Sequence, residues 1–560
     1  MRYSKIYTGI LTMLGIAFQT GELFAQQKID PTLEVTREFD GAMLNIHKSA
    51  LNTEIADSLK DFRIDFNYTI FDKPYKDLYE FTPIASAQIY RPESEREPVF
   101  CLEGGVSFPF TPEAGLWFRP NLKKGNLLNV GLDYTGFWGD LPVAEFSQAE
   151  NKIIKGQKSD ADYTRFRAAA DYAKYWKHDI LQAGVNYGNG SGSYRNSLSH
   201  TFNTAGVAAK IRSMKENVRR INYDIEFNWQ YTDDSRSFDA LSLKENLITA
   251  KVEAGPNFGR YNRFTVLLNS ENVLYSGIQE YKYGIFEIMP QYRFEKGRFF
   301  LKAGIRLSGK YKSKDDTDKY HNPLFINAKV SFELVRKHLW IYGEIDGKNL
   351  INNYSHMLGR NFWIEQEADL KATSLPFAVQ AGIKGSAASR FTYDIFAKYS
   401  TVDGLPQFVN MNNTNQLSII YSDCDIFTFG VQTGFVSKRF TGSAKLSHSL
   451  FSDAGNQPSN HYGYAPTKLD FNAEYNCRER IYIGMSLKFR SKADIYDARY
   501  GNRELKAPSY TNLGVKIKYV FNRNFALFVQ GSNLLDQTIM QCPVYIEKGI
   551  SAGAGIIVKF

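Results

Sequence analysis

Histidine and cysteine are the side chains of this chain best suited to binding a metal ion. The histidines lie at eight scattered positions: His47, His178, His200, His321, His338, His356, His448 and His461. No two are two or four residues apart, the spacings that place two imidazoles on one face of a strand or a helix. The four cysteines (Cys101, Cys424, Cys477 and Cys542) also lack a metal-ligand spacing, so disulfides and free thiols packed in strands are both open. We predict no metal site and interpret the histidines as solvated loop residues.

Two short strings resemble catalytic motifs only superficially. The run from Gly188 to Gly192 is rich in glycine, but no helical pattern opens after it, so we interpret it as a flexible loop rim rather than a phosphate site. Ser447, His448 and Ser449 form the only string that suggests a nucleophile beside a base, and no Gly-x-Ser-x-Gly motif is present. We therefore predict no catalytic residue, no cofactor and no enzyme; a hydrolase with a Ser/His pair on a barrel wall is the open alternative.

Composition narrows the class of protein. The formal charge of +9 is modest for 560 residues, and no aromatic-plus-basic recognition motif accompanies it, so no nucleic-acid partner is expected. Aromatic residues make up 15% of the chain, and strands and membrane interfaces are where they are favoured. A mean hydropathy of -0.37 excludes a bundle of membrane helices but fits a β-barrel, in which only alternate residues meet lipid.

Alternation with a period of two is the dominant pattern. From Ile221 to Tyr231, large apolar residues at odd positions alternate with hydrophilic residues at even positions. Similar patterns begin near Leu128, Phe299, Ile481 and Leu513. Each predicts a strand with one apolar and one polar face, about 9–14 residues long, which is the length that crosses a bilayer at a tilt.

Short turns alternate with long polar loops along the chain. The predicted tight turns lie at 123–125, 177–178, 214–216, 256–258, 295–297, 336–337, 386–388, 438–439, 478–479 and 522–523. The predicted long loops lie at 139–162, 232–245, 348–376, 400–424, 491–508 and 536–549. Short periplasmic turns and long extracellular loops are typical of outer-membrane barrels. We predict an all-β, transmembrane, antiparallel β-barrel of about 22 strands over residues 99–560, in the cell outer membrane.

The segments before the barrel have a different character. Arg2, Lys5 and a short apolar core predict a signal peptide over residues 1–25. Residues 26–98 are predicted to form a small periplasmic or lumen-filling segment. Basic residues of the tight turns (Lys123, Lys124, Lys177, Lys215, Lys296, Arg298, Arg336, Lys337, Lys438, Arg439, Arg478, Arg480 and Arg523) would face the periplasm. Contact with anionic outer-membrane lipids and simple solvation are equally good interpretations of them.

The end of the chain carries a family resemblance. Asn533, Leu534, Leu535, Asp536 and Gln537 are followed by a loop and by an alternating strand that ends in Phe560. This stretch resembles the closing turn and strand of TonB-dependent outer-membrane receptors, and the terminal aromatic resembles the assembly signal of such barrels. The segments 35–40 and 102–106 resemble plug-poor members of the Bacteroidota type. The resemblance implies a barrel of about 22 strands and assembly by the barrel-assembly machinery.

One departure bears on function. Transporting members of that family carry a plug of well over a hundred residues, whereas only residues 26–98 precede the barrel here. Residues 32–36 are similar to a TonB box, so the engagement of TonB is an open expectation. A ring of this size would conduct unless filled by residues 26–98, by loops such as 348–376 or by a partner.

Two functions follow from these patterns. The first is a receptor-like barrel for solute uptake or gating across the outer membrane. The alternative is a non-transporting accessory subunit of an outer-membrane complex, partnered by a surface lipoprotein or by assembly proteins. No ligand-binding residue is identified by the sequence.

Overall fold

A computed structural model describes residues 98–150, 152–194, 198–214, 221–236, 242–313, 324–387, 390–412, 416–453, 461–501 and 505–560. The predicted signal peptide and residues 26–97 of the segment before the barrel lie outside the described residues. Residues 32–36, which are similar to a TonB box, therefore lie outside them, as do His47, Lys215 and His321.

The described residues are nearly all in β-strands. The first thirteen are β1 (Phe100–Phe108), β2 (Thr111–Phe118), β3 (Asn126–Ser147), β4 (Lys152–Tyr175), β5 (Asp179–Tyr194), β6 (Leu198–Ser213), β7 (Ile221–Arg236), β8 (Leu243–Phe258), β9 (Asn262–Gly277), β10 (Tyr281–Lys296), β11 (Phe299–Lys312), β12 (Leu324–Val335) and β13 (Leu339–Asp346). A short β14 (Lys348–Leu350), which continues the pairing of β13 with the next strand, and a helix α1 (Tyr354–Arg360) follow.

The remaining strands complete the wall and one outer hairpin. They are β15 (Thr373–Ala387), β16 (Phe391–Val409), β17 (Ser418–Val436), β18 (Phe440–Asp453), β19 (Thr467–Cys477), β20 (Ile481–Arg490), β21 (Ala493–Ile495), β22 (Leu505–Ala507), β23 (Tyr510–Val520), β24 (Phe525–Ser532) and β25 (Ser551–Lys559). A 3-10 turn, Ala498–Tyr500, lies between β21 and β22, which pair only with each other.

The wall is a closed antiparallel barrel of 22 strands. Successive wall strands pair with one another, and β1 pairs with both β2 and β25, so the sheet has no free edge. The predicted fold class and strand count are confirmed, including the strands β1, β2 and β6, in which proline and glycine blur the alternation. Closure is what a bilayer demands, because no water is present there to satisfy unpaired backbone groups.

The two faces of each strand differ as the alternation predicts. On β7, Ile221, Ile225 and Phe227 are exposed on the outside of the barrel. Asn222, Thr232 and Asp234, at the even positions, are buried on the inward face. An apolar outer belt with a polar interior is the arrangement that suits a barrel in lipid.

Exposed aromatic side chains gather near the short-turn end of the barrel. They include Trp176, Phe258, Tyr261, Phe264, Phe391, Phe440, Phe521 and Phe560. The Lys296 ammonium lies 5.7 Å from the ring centroid of Tyr261. Aromatic rings beside basic groups are favoured where the hydrocarbon layer meets the headgroups. This end of the barrel therefore carries an interfacial girdle.

Three predicted connections and one predicted turn are wrong in detail. Residues 139–162, 232–245 and 400–424 are not mainly loops, because β3 with β4, β7 with β8 and β16 with β17 continue as paired hairpins well past the length that a bilayer needs. The turn predicted at 256–258 is strand, and the chain reverses at 259–261, where Gly259 has a φ of 71°. Polar residues in these segments lie on paired strands outside the membrane, which the alternation of polarity does not reveal.

In the described ranges, no helix has the length and apolar character to cross a membrane.

Deletion of residues 550–560 should abolish barrel formation. It removes β25 and leaves facing edges on β24 and β1, and each unpaired backbone group in hydrocarbon costs several kcal/mol. We expect degradation in the periplasm and loss of heat-modifiable migration in gel electrophoresis.

The milder control is Phe560→Lys, which keeps the β25 ladder and should only slow assembly. If the truncated chain accumulates in the outer membrane as a compact, heat-sensitive band, closure through β25 is not required.

Candidate functional site

Three outer loops fold together at the long-loop end of the barrel. They comprise residues 351–372, which contain α1, residues 491–501 and 505–509, which contain β21 and β22, and residues 533–550. We call these three segments the outer-loop cluster. Their side chains pack against the inward faces of neighbouring strands, so the cluster occupies the outer mouth of the barrel.

The cluster has apolar cores of its own. Tyr354, Met357 and Leu358 of α1 are buried in the larger one. Residues of the wall strands contribute to that core: Phe137, Ala161, Tyr194, Leu243, Val273, Tyr275, Tyr281, Tyr283, Phe408 and Ile419. A second core joins Ile495 and Leu505 of the outer hairpin to Met540 and Ile546. Burying several side chains of this size stabilises the folded loops by roughly 1.5–3 kcal/mol each.

Glu245, near the start of β8 at the long-loop side of the barrel, caps α1 from the wall. Its carboxylate accepts the backbone N–H groups of Tyr354 at 2.6 Å and Ser355 at 3.2 Å. It also accepts the Asn353 amide at 2.9 Å and the Tyr275 hydroxyl at 2.7 Å. The side chain of Asn353, the helix's own N-cap residue, makes no capping hydrogen bond, so the wall carboxylate satisfies these N–H donors.

Like Glu245, Asp234 anchors the α1 loop to the wall. Asp234 lies near the end of β7 at the long-loop side of the barrel. Its buried carboxylate accepts hydrogen bonds from His200 and from the Tyr354 hydroxyl, and its backbone carbonyl accepts the Gln366 amide at 2.8 Å. Arg236 on the same strand donates to the carbonyl oxygen of Ile364. Burial and the neighbouring Asp234 carboxylate raise the pKa of Tyr354 well above its usual value, so this hydroxyl remains a donor at neutral pH.

Contacts between the segments tie the cluster together. Val143 of β3 forms an isolated antiparallel bridge with Tyr545, whose ring stacks on Trp363 with centroids 5.9 Å apart. On the other side, Asn410 pairs with Asp497 and donates its amide to that carboxylate at 3.0 Å. The loop of α1, the outer hairpin and residues 533–550, which we call the closing loop, are therefore bound to one another through the wall.

The motif that carries the family resemblance has a structural role in the closing loop. Asn533 has a φ of 47°, and its side chain bridges the turn: its oxygen accepts Gln537 N–H at 3.0 Å and its amide donates to Gln537 O at 3.0 Å. The Lys155 ammonium lies 2.8 Å from Asp536, and this hydrogen bond lowers the pKa of the Asp536 carboxyl. The motif fixes where the loop leaves β24.

The predicted histidine environment is wrong for His200. Its side chain is 1% exposed and bonded to Asp234 rather than solvated in a loop. His448 lies on β18, with its Nδ1 2.8 Å from the Thr467 hydroxyl. Since neighbouring residues of a strand point to opposite faces, Ser447 and Ser449 lie on the other side of the wall, and the string forms no nucleophile–base pair. Over the described residues, no cluster of metal-ligating side chains occurs.

The glycine run was also predicted incorrectly. Residues 188–192 belong to β5, not to a loop rim. A Cβ at Gly190 would lie 2.3 Å from the ring of Phe202 on the adjacent strand. The glycines therefore make room on the inward face for neighbouring side chains. All four cysteines are free thiols, and Cys424 is buried.

Sequence patterns did not indicate Glu245, Asp234 or Arg236 as anchors. They stand among other charged residues at strand ends, where solvated loop charges are the ordinary expectation. The one usable signal is that Asp234 and Arg236 continue the even-numbered inward series of β7. Their partners in the α1 loop are over a hundred residues away, at 354 and 364, which no local pattern reveals.

Comparison with known proteins identifies the fold. No protein-family model and no curated protein matches the chain. The FrpB iron transporter from Neisseria meningitidis (F3-3 variant) matches with a TM-score of 0.62 at 8% identity, over 83% of this chain and 82% of that one. The pyoverdine receptor FpvA from Pseudomonas aeruginosa PAO1 matches at 0.62 and 10%, over 84% and 80%. The copper transporter OprC matches at 0.61 and 8%, over 83% and 81%.

At such low identity the likeness is one of fold. The chain shares the barrel fold of these transporters and this receptor, a fold that agrees with the resemblance of the closing residues. That fold and the apolar belt make it an outer-membrane barrel. The Bacteroidota type stays a prediction.

Glu245→Ala should loosen α1 without unfolding the barrel. The substitution leaves the N–H donors of Tyr354 and Ser355 without their acceptor, a loss of about 1–3 kcal/mol. Hydrogen exchange followed by mass spectrometry should show roughly ten- to a hundredfold faster exchange over residues 351–364.

Glu474→Ala is the matched control, because Glu474 is an exposed residue of β19 remote in sequence from the anchors. Its exchange over 351–364 should equal that of the wild type. Unchanged exchange in Glu245→Ala would show that the carboxylate does not hold the helix.

Proposed function

We propose that this protein is an outer-membrane receptor that takes up a solute through its barrel, with the outer-loop cluster as the extracellular gate. The observation that carries the proposal is the anchoring of α1 to the inward wall by Glu245 and Asp234. A purely structural barrel has no need to hold a long outer loop inside its mouth by two buried carboxylates.

Support also comes from the neighbours in fold. Those named above are a copper transporter, an iron transporter and a receptor for pyoverdine. Transport or reception of a solute is common to the three, which favours uptake over the accessory-subunit alternative. The partner interactions expected of that alternative, with surface lipoproteins or assembly proteins, stay predictions.

The geometry suggests how the gate works. A solute arriving from outside meets the cluster first, and passage requires α1 to leave the wall. Leaving exposes the two carboxylates and the core around Met357, so the closed state is favoured until a ligand supplies compensating contacts. Because the wall is a continuous ladder of hydrogen bonds, the loops can move at a lower cost in free energy than the strands of the wall can.

The gate predicts a conductance change. The double variant Asp234→Asn/Glu245→Gln weakens both anchors while preserving side-chain size. In planar bilayers, purified wild-type protein should be mostly silent, and the variant should show frequent large openings. Glu474→Gln should behave as the wild type. Equal records from the wild type and the double variant would exclude these loops as the gate.

We also propose that TonB engages residues 32–36. A short recognition segment can bind by adding a strand to a partner's sheet, and proline removes a backbone donor from such a strand. Leu33→Pro should reduce retention of the full-length protein on immobilised TonB periplasmic domain by at least about tenfold, whereas Leu51→Pro should not. Equal retention of the two variants would contradict the assignment.

A further inference from the structure

Four basic side chains converge beneath the outer-loop cluster. Strand register places Ser447, Lys468 and Arg490 in one row across β18, β19 and β20, and places Lys445 opposite Asp470 in the next row. These residues share the inward face, because residues two apart on a strand, and register partners on adjacent strands, lie on the same side of a sheet. Arg360, at the end of α1, lies within electrostatic range of Lys468, as do Arg490 and Lys445. We call Arg360, Lys445, Lys468 and Arg490 the basic patch.

The patch carries an excess of positive charge. Asp470 is the carboxylate within range of Lys468, and both of its oxygens accept hydrogen bonds from Arg490, at 2.8 and 3.1 Å. Among the described residues, Arg360, Lys445 and Lys468 have no carboxylate within ion-pair distance. The four cations of the patch, together with Lys488 opposite Asp470 on β20, therefore face one carboxylate, which is already engaged.

Several other inward-facing lysines are each paired with an acid. Lys210 lies 3.1 Å from Glu226, Lys329 lies 2.9 Å from Glu344, and Lys516 lies 2.6 Å from Glu103. Unpaired like charges repel one another, so a bound anion would reduce the electrostatic repulsion within the basic patch. A cleft lined by one sign of charge also concentrates counter-ions.

The surroundings add groups for recognition. The guanidinium of Arg360 lies 5.0 Å from the ring centroid of Phe408, which orients the cation. Ser447 presents a hydroxyl beside Lys468 in the same row, and Tyr510 is the register partner of Arg490 on the next strand. Arg360 and Lys445 are exposed, so an entering solute can reach them.

We propose that the basic patch binds the anionic groups of the transported solute, a small molecule that carries two or more carboxylate or phosphate groups. This rests on the proposed uptake function, which it deepens by naming the substrate class. Arg360 belongs to the gate and Lys468 to the wall, so an anion bridging them links ligand arrival to the position of α1.

Isothermal titration calorimetry on the full-length protein in detergent tests the proposal, with pyrophosphate and tricarballylate as probes at low ionic strength. One or both should bind to the wild type, and added salt should weaken binding by screening. The double variant Lys445→Gln/Lys468→Gln should lose at least about tenfold in affinity, because each charge-assisted hydrogen bond removed is worth about a factor of ten or more. Pyrophosphate alone or tricarballylate alone would identify phosphate or carboxylate as the recognised group.

Two further variants separate binding from general damage. Lys329→Gln removes a lysine already paired with Glu344 and should leave affinity unchanged. Asp470→Asn frees Arg490 and should tighten binding, an effect that misfolding would not produce. Binding of neither probe by the wild type, or equal losses in Lys329→Gln and the double variant, would overturn the proposal. Since the assay involves no transport, a negative result here leaves the conductance test of the gate to stand or fall by itself.

Discussion

The structure depends on the closure of one hydrogen-bonded ladder. The backbone N–H and carbonyl of Phe100 pair with Phe560 at 3.0 and 2.8 Å, and the register continues along the whole of β1 and β25. In hydrocarbon no water can replace a missing partner, so the sheet must return to its own first strand. Because β1 pairs antiparallel with β25, the start of β1 and the end of β25 lie together on the short-turn side of the barrel. The outer belt and the polar interior follow from the same ladder.

The closed wall also reduces the free-energy cost of burying charged side chains at the long-loop end of the barrel. Glu245 and Asp234 are almost completely buried, and removing a carboxylate from water without partners would be strongly unfavourable. Here the strands hold the carboxylates rigidly, and backbone N–H groups, hydroxyls and an imidazole satisfy them. Rigid acceptors on the wall allow a seven-residue helix, which would be unstable alone, to remain folded in the mouth.

The interior divides into sectors of different electrostatic character. On β6, β12 and β23, Lys210, Lys329 and Lys516 are each paired with a facing acid. Around β18 to β20 the balance is positive, and the gate helix contributes a cation of its own. The outer-loop cluster and the charged wall beneath it are therefore one continuous surface. In the uptake path that we propose, a solute that displaces α1 would meet this positive sector next.

The barrel could be predicted from local patterns, whereas the role of its interior could not. A strand's side-chain period of two is a local property, so alternation such as Ile221 to Tyr231 reports both the strand and its two faces. Turn spacing then indicated the number of strands, and the Asn533 motif pointed to the receptor fold.

Segments 139–162, 232–245 and 400–424 were misjudged because hairpins that continue into water need no apolar face. The anchors and the basic patch differ in kind: Glu245 accepts a hydrogen bond from Tyr354, and Lys468 lies within electrostatic range of Arg360, across more than a hundred residues of chain. A polar residue on an inward face has the same local pattern whether it is solvated, paired with an acid, or anchoring a loop. Closure of the barrel decides which strands and loops lie opposite one another, and so decides the partner of such a residue. The residues next to it in sequence do not indicate that partner.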